Sequence, residues 1–218
     1  MTTSRETVLN DRLNSPRCQA LLDAARTQFI DKGYAATPVS SIVKAAGVAQ
    51  GTFYLYFESK QGVLAELRRQ VFRDYEQTLH RVLSVEAPAD EAMARVIVAM
   101  ADAVQRNLAL ERVFRHAESA EATLHAAREG RTRLAEVAAE RIQQGNDAGI
   151  VDVESPNWTA RFLITLYDHV IYEALAYDAN ETSEVLAECV RFGLRSLGAA
   201  RDRIEDLVAQ HQGWRTHE

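Results

Sequence analysis

The sequence predicts an all-α protein of about nine helices. Apolar residues recur at intervals of three and four over most of the chain, which is the helical period. The four prolines and ten glycines fall mostly where such stretches would begin or end, and no stretch alternates apolar and polar residues as a strand would. With 218 residues, 47% of them hydrophobic, the chain is long enough to bury a core without disulfides.

The first two helices carry explicit start and stop signals. Ser15-Pro16 offers a capping hydroxyl followed by proline at the first helical position, and the apolar spacing continues to Gly33. Thr37-Pro38 repeats the start signal, and Gly47 supplies a left-handed stop. We therefore expect a longer helix followed by a short one.

A third short helix is predicted over residues 50–57, and Ser59 can cap a longer fourth helix. Two short helices joined by a tight glycine turn form a helix-turn-helix. Residues 1–14 lack periodicity, and we interpret them as a flexible arm. The expected domains are a helix-turn-helix domain over 15–60 and a larger helical domain over 61–218, with no Gly, Pro or Ser linker between them.

Longer, Ala-rich amphipathic helices are predicted after Pro88, with breaks at Gly145, Gly149, Pro156 and Asn180. The expected ranges are 89–106, 108–118, 120–147, 156–178 and 182–210. These helices would form a bundle together with the fourth helix.

The charge of the chain is distributed unevenly. Residues 1–73 contain ten Lys and Arg against six Asp and Glu, a formal charge of +4, whereas residues 74–218 contain fifteen against twenty-five, a charge of −10. Only the N-terminal third would therefore attract a polyanion, although such an asymmetry also arises on solvated helix surfaces.

Cysteine usage and hydropathy indicate the compartment. Cys18 and Cys189 lie far apart without CxxC or zinc-ligand spacing, and we interpret them as small apolar core residues. The chain shows no charged-then-apolar leader of the signal-peptide type, and no apolar run approaches the roughly 20 residues that span a bilayer. These features predict a cytoplasmic protein.

The predicted third helix contains an aromatic cluster with two roles. In a helix-turn-helix the second short helix enters the DNA major groove. Phe53 and Phe57 are four residues apart and share an inward face, whereas Tyr54 and Tyr56 point elsewhere and can donate hydroxyls to phosphates. Lys60 lies at the start of the next helix, where a phosphate is favoured. Alternatively, these polar side chains form an ordinary solvated surface.

A distinctive run of residues surrounds this cluster, comprising Gly33-Tyr34, Thr37, Val39, Ile42, Ala46-Gly47-Val48, Gly51-Thr52-Phe53-Tyr54, Tyr56-Phe57, Ser59-Lys60 and Leu64. In these residues the chain resembles the TetR family of bacterial transcriptional regulators. Two positions depart from the family pattern, because Ala49 stands where a serine-like helix cap is usual and Val43 where a smaller alanine is common.

The resemblance implies a set of contacts with double-stranded operator DNA. Phosphates would be held by Thr37, Tyr54, Tyr56 and Lys60, and base edges would be faced by Gln50, Gly51 and Thr52. Gln50 suits an adenine and the Thr52 methyl suits a thymine, while Gly51 allows the backbone to approach DNA closely.

The resemblance also implies a homodimer through the last two helices and a small-molecule effector inside the preceding bundle. Small residues among the apolar ones of the segment 187–197 would let a partner helix come close. An aromatic stripe on the helix that begins at Pro156 could hold an amphipathic or hydrophobic effector, but it is equally compatible with core or dimer contact. The candidate ligand residues are Phe72, Phe114, Trp158, Phe162, His169 and Tyr172.

The sequence contains no GxSxG, no HExxH, no phosphate-cradling glycine loop and no metal-ligand spacing of histidines. We therefore expect no enzyme, no catalytic residue, no cofactor and no metal. The expected function is a ligand-responsive DNA-binding regulator, a repressor that its effector releases from the operator. The alternative is a helical adaptor that binds other proteins without reading DNA sequence.

Overall fold

The computed structural model describes residues 12–117, 121–177 and 182–211. Within these ranges the chain forms nine α-helices and no strand, which confirms the predicted all-α class. The helices are α1 (Pro16–Lys32), α2 (Val39–Ala45), α3 (Gln50–Tyr56), α4 (Lys60–Leu83), α5 (Ala89–His116), α6 (Glu121–Asp147), α7 (Pro156–Tyr177), α8 (Thr182–Ser196) and α9 (Arg201–His211). None of these helices combines the length and the apolarity needed to cross a bilayer.

The ends of the N-terminal helices follow the predicted signals. Ser15 Oγ accepts a hydrogen bond of 3.3 Å from a backbone N–H in the first turn of α1, and Ser59 Oγ does the same for α4. Gly33 and Gly47 follow α1 and α2 with φ of 83° and 65°, values that favour glycine. Local capping chemistry therefore sets these boundaries.

Thr37 does not cap α2, so this prediction is wrong. Its hydroxyl donates to the carbonyls of Gly33 at 2.9 Å and Gln28 at 3.2 Å, and the residue is fully buried. The N-cap residue of α2 is Pro38, which offers no side-chain hydrogen bond. The hydroxyl instead connects the last turns of α1 to the residue that follows the helix, because one of these carbonyls belongs to α1 and the other to Gly33.

The predicted break between 89–106 and 108–118 is also wrong, because both ranges belong to the continuous α5. Asn107 lies at the expected junction. Its side-chain amide donates to the Ala103 carbonyl of the same helix and to Asp74 on α4, at 2.9 Å each. The polar group at the expected junction is thus satisfied by its own helix and by α4, and the helix continues through it.

Two glycines have roles other than those predicted. The predicted helix 182–210 divides into α8 and α9, because Gly198 adopts φ of 76° between them. Gly145, predicted as a break, lies inside α6, where its missing side chain leaves room for Ala89 and Val151. Close packing against these two residues, and not a helix break, explains why position 145 is a glycine.

Some predicted features lie outside the described residues, namely the break at Asn180 and residues 1–11 of the arm. The remaining arm residues begin with a helical turn. The Leu13 carbonyl accepts a hydrogen bond of 2.8 Å from Gln19 Nε2 of α1.

The chain divides into two compact units. The first unit comprises Met1–Gln70 and Ala109–Ala127, and the second comprises Val71–Leu108 and Arg128–Glu218. The helices α4, α5 and α6 each contribute residues to both units. The domain division at residue 60 stays a prediction.

The first unit has an aromatic core. Within it α1 packs against α2 and α3, and α2 packs against α3. Phe29, Ile42 and Phe53 are completely buried and Phe57 nearly so, with 5.9 Å between the ring centroids of Phe53 and Phe57. The predicted inward face of this aromatic pair is therefore confirmed.

A buried ion pair joins α4 to the end of α5 within the first unit. The Arg68 guanidinium donates to Glu111 Oε2 at 2.5 Å, and both side chains are almost completely excluded from solvent. The same guanidinium lies 4.8 Å from the centroid of the Phe114 ring. Loss of one partner would leave a buried charge without its counter-ion, which costs about 3–5 kcal/mol in comparable pairs.

In the second unit α7 packs against α8, and α8 against α9. Arg203 on α9 donates from Nε to Asp90 Oδ2 on α5 at 2.8 Å. Burial opposes the charged form of Asp90, but hydrogen bonds from Arg203 and from backbone N–H groups outweigh it and hold the pKa of this carboxyl below its usual value. This ion pair fastens the last described helix to the bundle.

Candidate functional site

The outward face of α3 is open to solvent. Gln50, Gly51 and Tyr54 are exposed, Tyr54 by 57%, and Thr52 is half-buried. The helix begins after Ala49 without any side-chain cap, as the missing serine predicted. The inward Phe53 is fully buried in the core of the first unit, and this contact fixes the orientation of the helix.

Tyr56 is tied to the start of α1. Its hydroxyl accepts a hydrogen bond of 2.9 Å from Ser15 Oγ, and the Arg12 guanidinium lies 5.7 Å from its ring centroid. The phenol O–H remains a donor, because the hydroxyl oxygen only accepts in this contact. Sequence reasoning missed Ser15 and Arg12 as neighbours, since they lie more than 40 positions away along the chain.

Thr37 lies in the core and not on the surface predicted for it. Its single hydroxyl proton is shared between two carbonyls of α1 and the following turn. The side chain thus connects the end of α1 to the start of α2, and a direct contact with a phosphate is sterically closed in this conformation.

Lys60 lies at the start of α4 but turns toward the end of α1. Its Nζ donates to the carbonyls of Tyr34 at 2.7 Å and Ala35 at 3.3 Å, and it lies 4.4 Å from the Tyr34 ring centroid. Burial lowers the pKa of this ammonium. Two of its three N–H donors are engaged within the described part of the chain, which leaves one for a phosphate oxygen.

Two exposed residues of the helix-turn-helix were not predicted as contacts. Leu55, which is 60% exposed, follows Tyr54 on the outward side of α3. Lys44 is exposed near the end of α2. The sequence already placed Leu55 between the two inward phenylalanines and Lys44 just before the glycine turn. These positions could have indicated that both side chains are exposed.

The six predicted ligand residues do not share one pocket. Trp158 and Phe162 are 57% and 67% exposed and stack on each other with 5.8 Å between ring centroids, and His169 is exposed as well. Phe72 and Tyr172 are buried in the second unit, whereas Phe114 belongs to the first. The inward face of α7 is instead formed by Ala160, Leu163, Tyr167 and Ile171.

Gly193, one of the small residues of segment 187–197, belongs to the chain's own core. Gly193 is buried, and a side chain there would collide with the Tyr167 hydroxyl. Val190 and Leu194 are completely buried. Phe192, which is 52% exposed, points outward from α8. The prediction is therefore corrected for Gly193, which faces Tyr167 of α7, and the dimer interface itself stays a prediction.

An apolar stripe remains on the outside of α7. Trp158, Phe162 and Leu166 follow each other at intervals of four and are all exposed. A surface groove between α7 and α8 continues from Leu166 to Phe192. We call these four residues the outer stripe.

The second unit contains two adjacent narrow cavities. The first encloses about 530 Å³ and the second about 460 Å³ of empty space, openings to solvent included, and only a small part of each is wide enough for a water molecule. The first cavity is lined by Leu79, Leu83, Ala89, Met93, Val96, Ala138, Arg141, Ile142, Ala160, Leu163, Ile164, Tyr167 and Leu197. The second is lined by Phe72, Tyr75, Val96, Ile97, Met100, Val104, Arg131, Leu134, Ile164, Tyr167, Asp168 and Ile171.

Few polar groups interrupt these apolar walls. Tyr167 lines both cavities, and its hydroxyl donates to the Cys189 carbonyl at 2.6 Å. Burial raises the pKa of this phenol far above its usual value. Arg131 pairs with Asp168 at 3.3 Å, so the charges of the second cavity balance each other. Phe72 is the predicted ligand residue that lines a described cavity.

Comparison with known proteins matches the N-terminal segment to a protein family. Residues 21–67 match the family described as bacterial regulatory proteins, tetR family. The chain is 35% identical over 82 residues to the fatty acid metabolism regulator protein of Bacillus subtilis, a match that covers 38% of this chain and 42% of that protein. It is 25% identical over 162 residues to the HTH-type transcriptional regulator YhgD of the same species, which covers 72% of this chain and 83% of YhgD.

Solved structures share most of this fold. A Syntrophomonas wolfei protein assigned to the TetR family of transcriptional regulators superposes with a TM-score of 0.72 at 20% identity, over 85% of this chain and 97% of that chain. The transcriptional regulator FadR from Bacillus subtilis, solved in complex with stearoyl-CoA, gives 0.65 at 21% identity, over 79% and 97%. These identities show a common fold alone. The family match therefore assigns residues 21–67, which include the helix-turn-helix, to the bacterial regulatory proteins of the tetR family, and the described helices share the fold of these solved regulators.

Proposed function

We propose that this protein is a dimeric, DNA-binding transcriptional regulator, a repressor that a small amphipathic or hydrophobic effector releases from its operator. The observation that carries the proposal is the division of α3 into two faces. Phe53 and Phe57 hold the helix from inside, and Gln50, Gly51 and Tyr54 are left exposed on it. A short helix held in this way is suited to enter a major groove.

Direct DNA binding can be tested by fluorescence anisotropy with DNA taken from upstream of the protein's own gene. We expect saturable binding that weakens steeply with salt and exceeds the binding to a scrambled duplex of equal length, because phosphate contacts release counterions and base contacts add specificity. Salt-insensitive binding without sequence preference would overturn the proposal.

A double substitution separates this function from that of a protein-binding adaptor. Changing Tyr54 and Lys60 together to Ala removes one exposed phenol and one cation from the face proposed to meet phosphates. If the protein is a regulator, its affinity for operator DNA should fall by roughly one to two orders of magnitude, because each phosphate contact adds to the affinity. Unchanged operator affinity would remove these residues from the proposed interface.

The outer stripe supports a homodimer. Four large apolar side chains exposed on neighbouring helices form the kind of patch that marks an interface. They lie on the two helices that the sequence indicated for dimerisation, with α8 in place of the longer predicted helix. Two-fold symmetry would place two copies of α3 one DNA turn apart, about 34–36 Å, as a partly palindromic operator requires.

The two cavities support an effector site in the second unit. Their walls are mainly apolar, and their polar groups lie at Tyr75, Arg141, Tyr167 and the Arg131–Asp168 pair. An effector would act by binding more tightly to one arrangement of the helices than to another. Because α4 begins at Lys60 beside the helix-turn-helix and contributes lining residues to both cavities, it is the helix that we propose to carry the change from effector to DNA.

A further inference from the structure

Arg12 differs from the other arginines around the helix-turn-helix in what it contacts. Five arginines lie between residues 12 and 70, and three of them donate to side chains of the first unit, namely Arg26, Arg68 and Arg69. Arg12 and Arg17 are exposed, and neither forms an ion pair with a carboxylate in the described part of the chain. Of these two, Arg12 lies over an aromatic ring, with its guanidinium carbon 5.7 Å from the centroid of Tyr56.

The backbone around Arg12 is tied to the first turns of α1. The Arg12 carbonyl accepts a hydrogen bond of 3.3 Å from the Ser15 N–H, and the Leu13 carbonyl accepts one of 2.8 Å from Gln19 Nε2. The Ser15 hydroxyl in turn donates to the Tyr56 hydroxyl at 2.9 Å. These contacts hold residues 12–15 beside the end of α3, so the Arg12 side chain starts from a defined position.

A guanidinium that lies over a ring keeps its hydrogen-bond donors. The attraction acts through the face of the ring, whereas the N–H groups of the guanidinium lie in its own plane and point away from that ring. The Arg12 guanidinium donates to no acceptor among the described residues. Its charge is therefore available to an anion, and the Tyr56 ring restricts where that anion can bind.

The contact lies beside the helix that we propose to enter the major groove. Tyr56 is the last residue of α3, and the exposed Tyr54 precedes it by two positions. Phosphate contacts made by arginine, lysine and hydroxyl side chains fix the orientation of a DNA-binding protein on the duplex. A cation held at the end of α3 is thus placed where a duplex would present phosphates.

From these observations we propose that Arg12 binds a DNA phosphate beside α3, and that the Tyr56 ring is the platform that holds its guanidinium for this contact. Tyr56 then has two roles, because its ring positions Arg12 while its hydroxyl can donate to a phosphate itself. This inference rests on the function proposed above, since it adds a contact to the same DNA interface.

The charge of Arg12 is tested by fluorescence anisotropy of the full-length protein at several salt concentrations, with the upstream duplex and with the scrambled duplex. Arg12→Gln should weaken binding to both duplexes by the same factor, about tenfold, because a phosphate contact does not depend on the base sequence. The slope of log affinity against log salt should become less steep by about 0.9, the effect of one phosphate contact.

Lys32→Gln is the matched control, because it removes the same charge from the exposed far end of α1, about 24 Å of helix rise from Pro16. This control should change the affinity by less than about twofold, since salt screens a charge at that distance. Unchanged affinity and slope in Arg12→Gln would overturn the inference. A loss confined to the upstream duplex would place Arg12 against base edges and would overturn the phosphate contact.

The platform is tested by two substitutions of Tyr56. Tyr56→Phe keeps the ring and removes the hydroxyl, whereas Tyr56→Leu removes both. Arg12→Gln should still cost about tenfold in the Tyr56→Phe protein but less than about threefold in the Tyr56→Leu protein, because the guanidinium is no longer held there. An equal cost in both proteins would overturn the platform.

Arg12→Lys tests the same point without altering the half-buried Tyr56, should Tyr56→Leu fail to fold. The salt slope should stay unchanged because the charge remains, and affinity should fall about threefold or more because an ammonium lacks the planar group that stacks on a ring. Full affinity in Arg12→Lys would contradict the platform.

These measurements separate the inference from the proposed function. If the unsubstituted protein shows no preference for the upstream duplex, the regulator itself is contradicted. If that preference is present and Arg12→Gln leaves both affinity and salt slope unchanged, the inference alone is contradicted.

Discussion

Tyr54 is an exposed side chain of α3 whose ring is held in one orientation by a buried neighbour. Its ring is 57% exposed, yet it stands in edge contact with the buried Phe53, at 5.3 Å between centroids. The ring is therefore oriented, and the hydroxyl at its tip is presented to solvent. An oriented donor on a recognition helix is suited to a phosphate oxygen.

Tyr54→Phe should leave folding stability unchanged, because it removes only the exposed hydroxyl. Operator affinity should fall about three- to tenfold, the effect of about 1 kcal/mol for one lost hydrogen bond. The salt dependence of binding should stay the same, since a neutral hydroxyl releases no counterion. Fluorescence anisotropy at several salt concentrations measures both quantities. Tyr177→Phe, on an equally exposed tyrosine of α7, serves as control, and an equal loss there would contradict a specific contact.

The two cysteines are core residues whose chemistry is suppressed by their surroundings. Cys18 is completely buried, and burial together with the nearby charge of Glu66 raises its pKa to about 11. Cys189 is 5% exposed, and burial together with Glu188 raises its pKa to about 11. At pH 8 about one thiol in a thousand is then a thiolate, which is the reactive form.

Both thiols should therefore resist alkylation in the native protein. Iodoacetamide at pH 8 should label neither cysteine within the time that fully labels them in denaturant. As pH rises toward the pKa of about 11, thiolate forms and native labelling should increase wherever the reagent can enter. Mass spectrometry of the labelled peptides measures this, and rapid native labelling of either cysteine at pH 8 would contradict a purely structural role.

At the scale of the element, α3 combines a weak start with an open backbone position. Ala49 provides no cap, which forgoes about 1 kcal/mol. Gly51 follows in the first turn, and a methyl group added there would meet no atom within 4 Å. Both residues lower the stability of the helix, and neither is needed for packing.

Gly51→Ala should therefore have opposite effects on folding and on binding. The free energy of unfolding should rise by about 0.5–1 kcal/mol, because alanine favours the helix. Operator affinity should fall on the order of tenfold if the backbone of α3 meets base edges closely. Urea unfolding and anisotropy measure the two effects. Gly62→Ala in the first turn of α4 should stabilise without weakening binding, and intact operator affinity in Gly51→Ala would contradict a close approach.

At the scale of the whole molecule, the outer stripe is the proposed dimer interface, and a dimer through it would bring two copies of α3 to the same operator. Phe162→Asp places a charge in the middle of the proposed interface, since Phe162 stacks on Trp158 and is 67% exposed. The dimer dissociation constant should rise about thirtyfold or more, and operator affinity should fall with it. Sedimentation at several concentrations measures the first effect. Leu124→Asp, a change of an equally exposed apolar residue on α6, is the control, and an unchanged dimer in Phe162→Asp would move the interface elsewhere.

Local signals predicted the N-terminal elements well. The caps at Ser15 and Ser59, the turn at Gly47 and the four-residue spacing of Phe53 and Phe57 all act within one or two helical turns. The same method failed for the break expected between 89–106 and 108–118, where Asn107 finds its hydrogen-bond partners on its own continuous helix and on α4. Partners that lie on other helices leave no local trace in the sequence.

The amino-acid sequence by itself determined the all-helical class, the helix-turn-helix and the separation of inward from outward aromatics, because periodicity, caps and glycine turns depend on neighbouring residues. Only the tertiary structure decided which face of α7 turns inward, where Thr37 points, and that Tyr167 lines two narrow cavities. Each of these depends on side chains distant in sequence that meet in the folded chain. The sequence pattern of an aromatic stripe is the same whether the stripe faces a cavity or the solvent. Only the packing of other helices against it distinguishes these two arrangements.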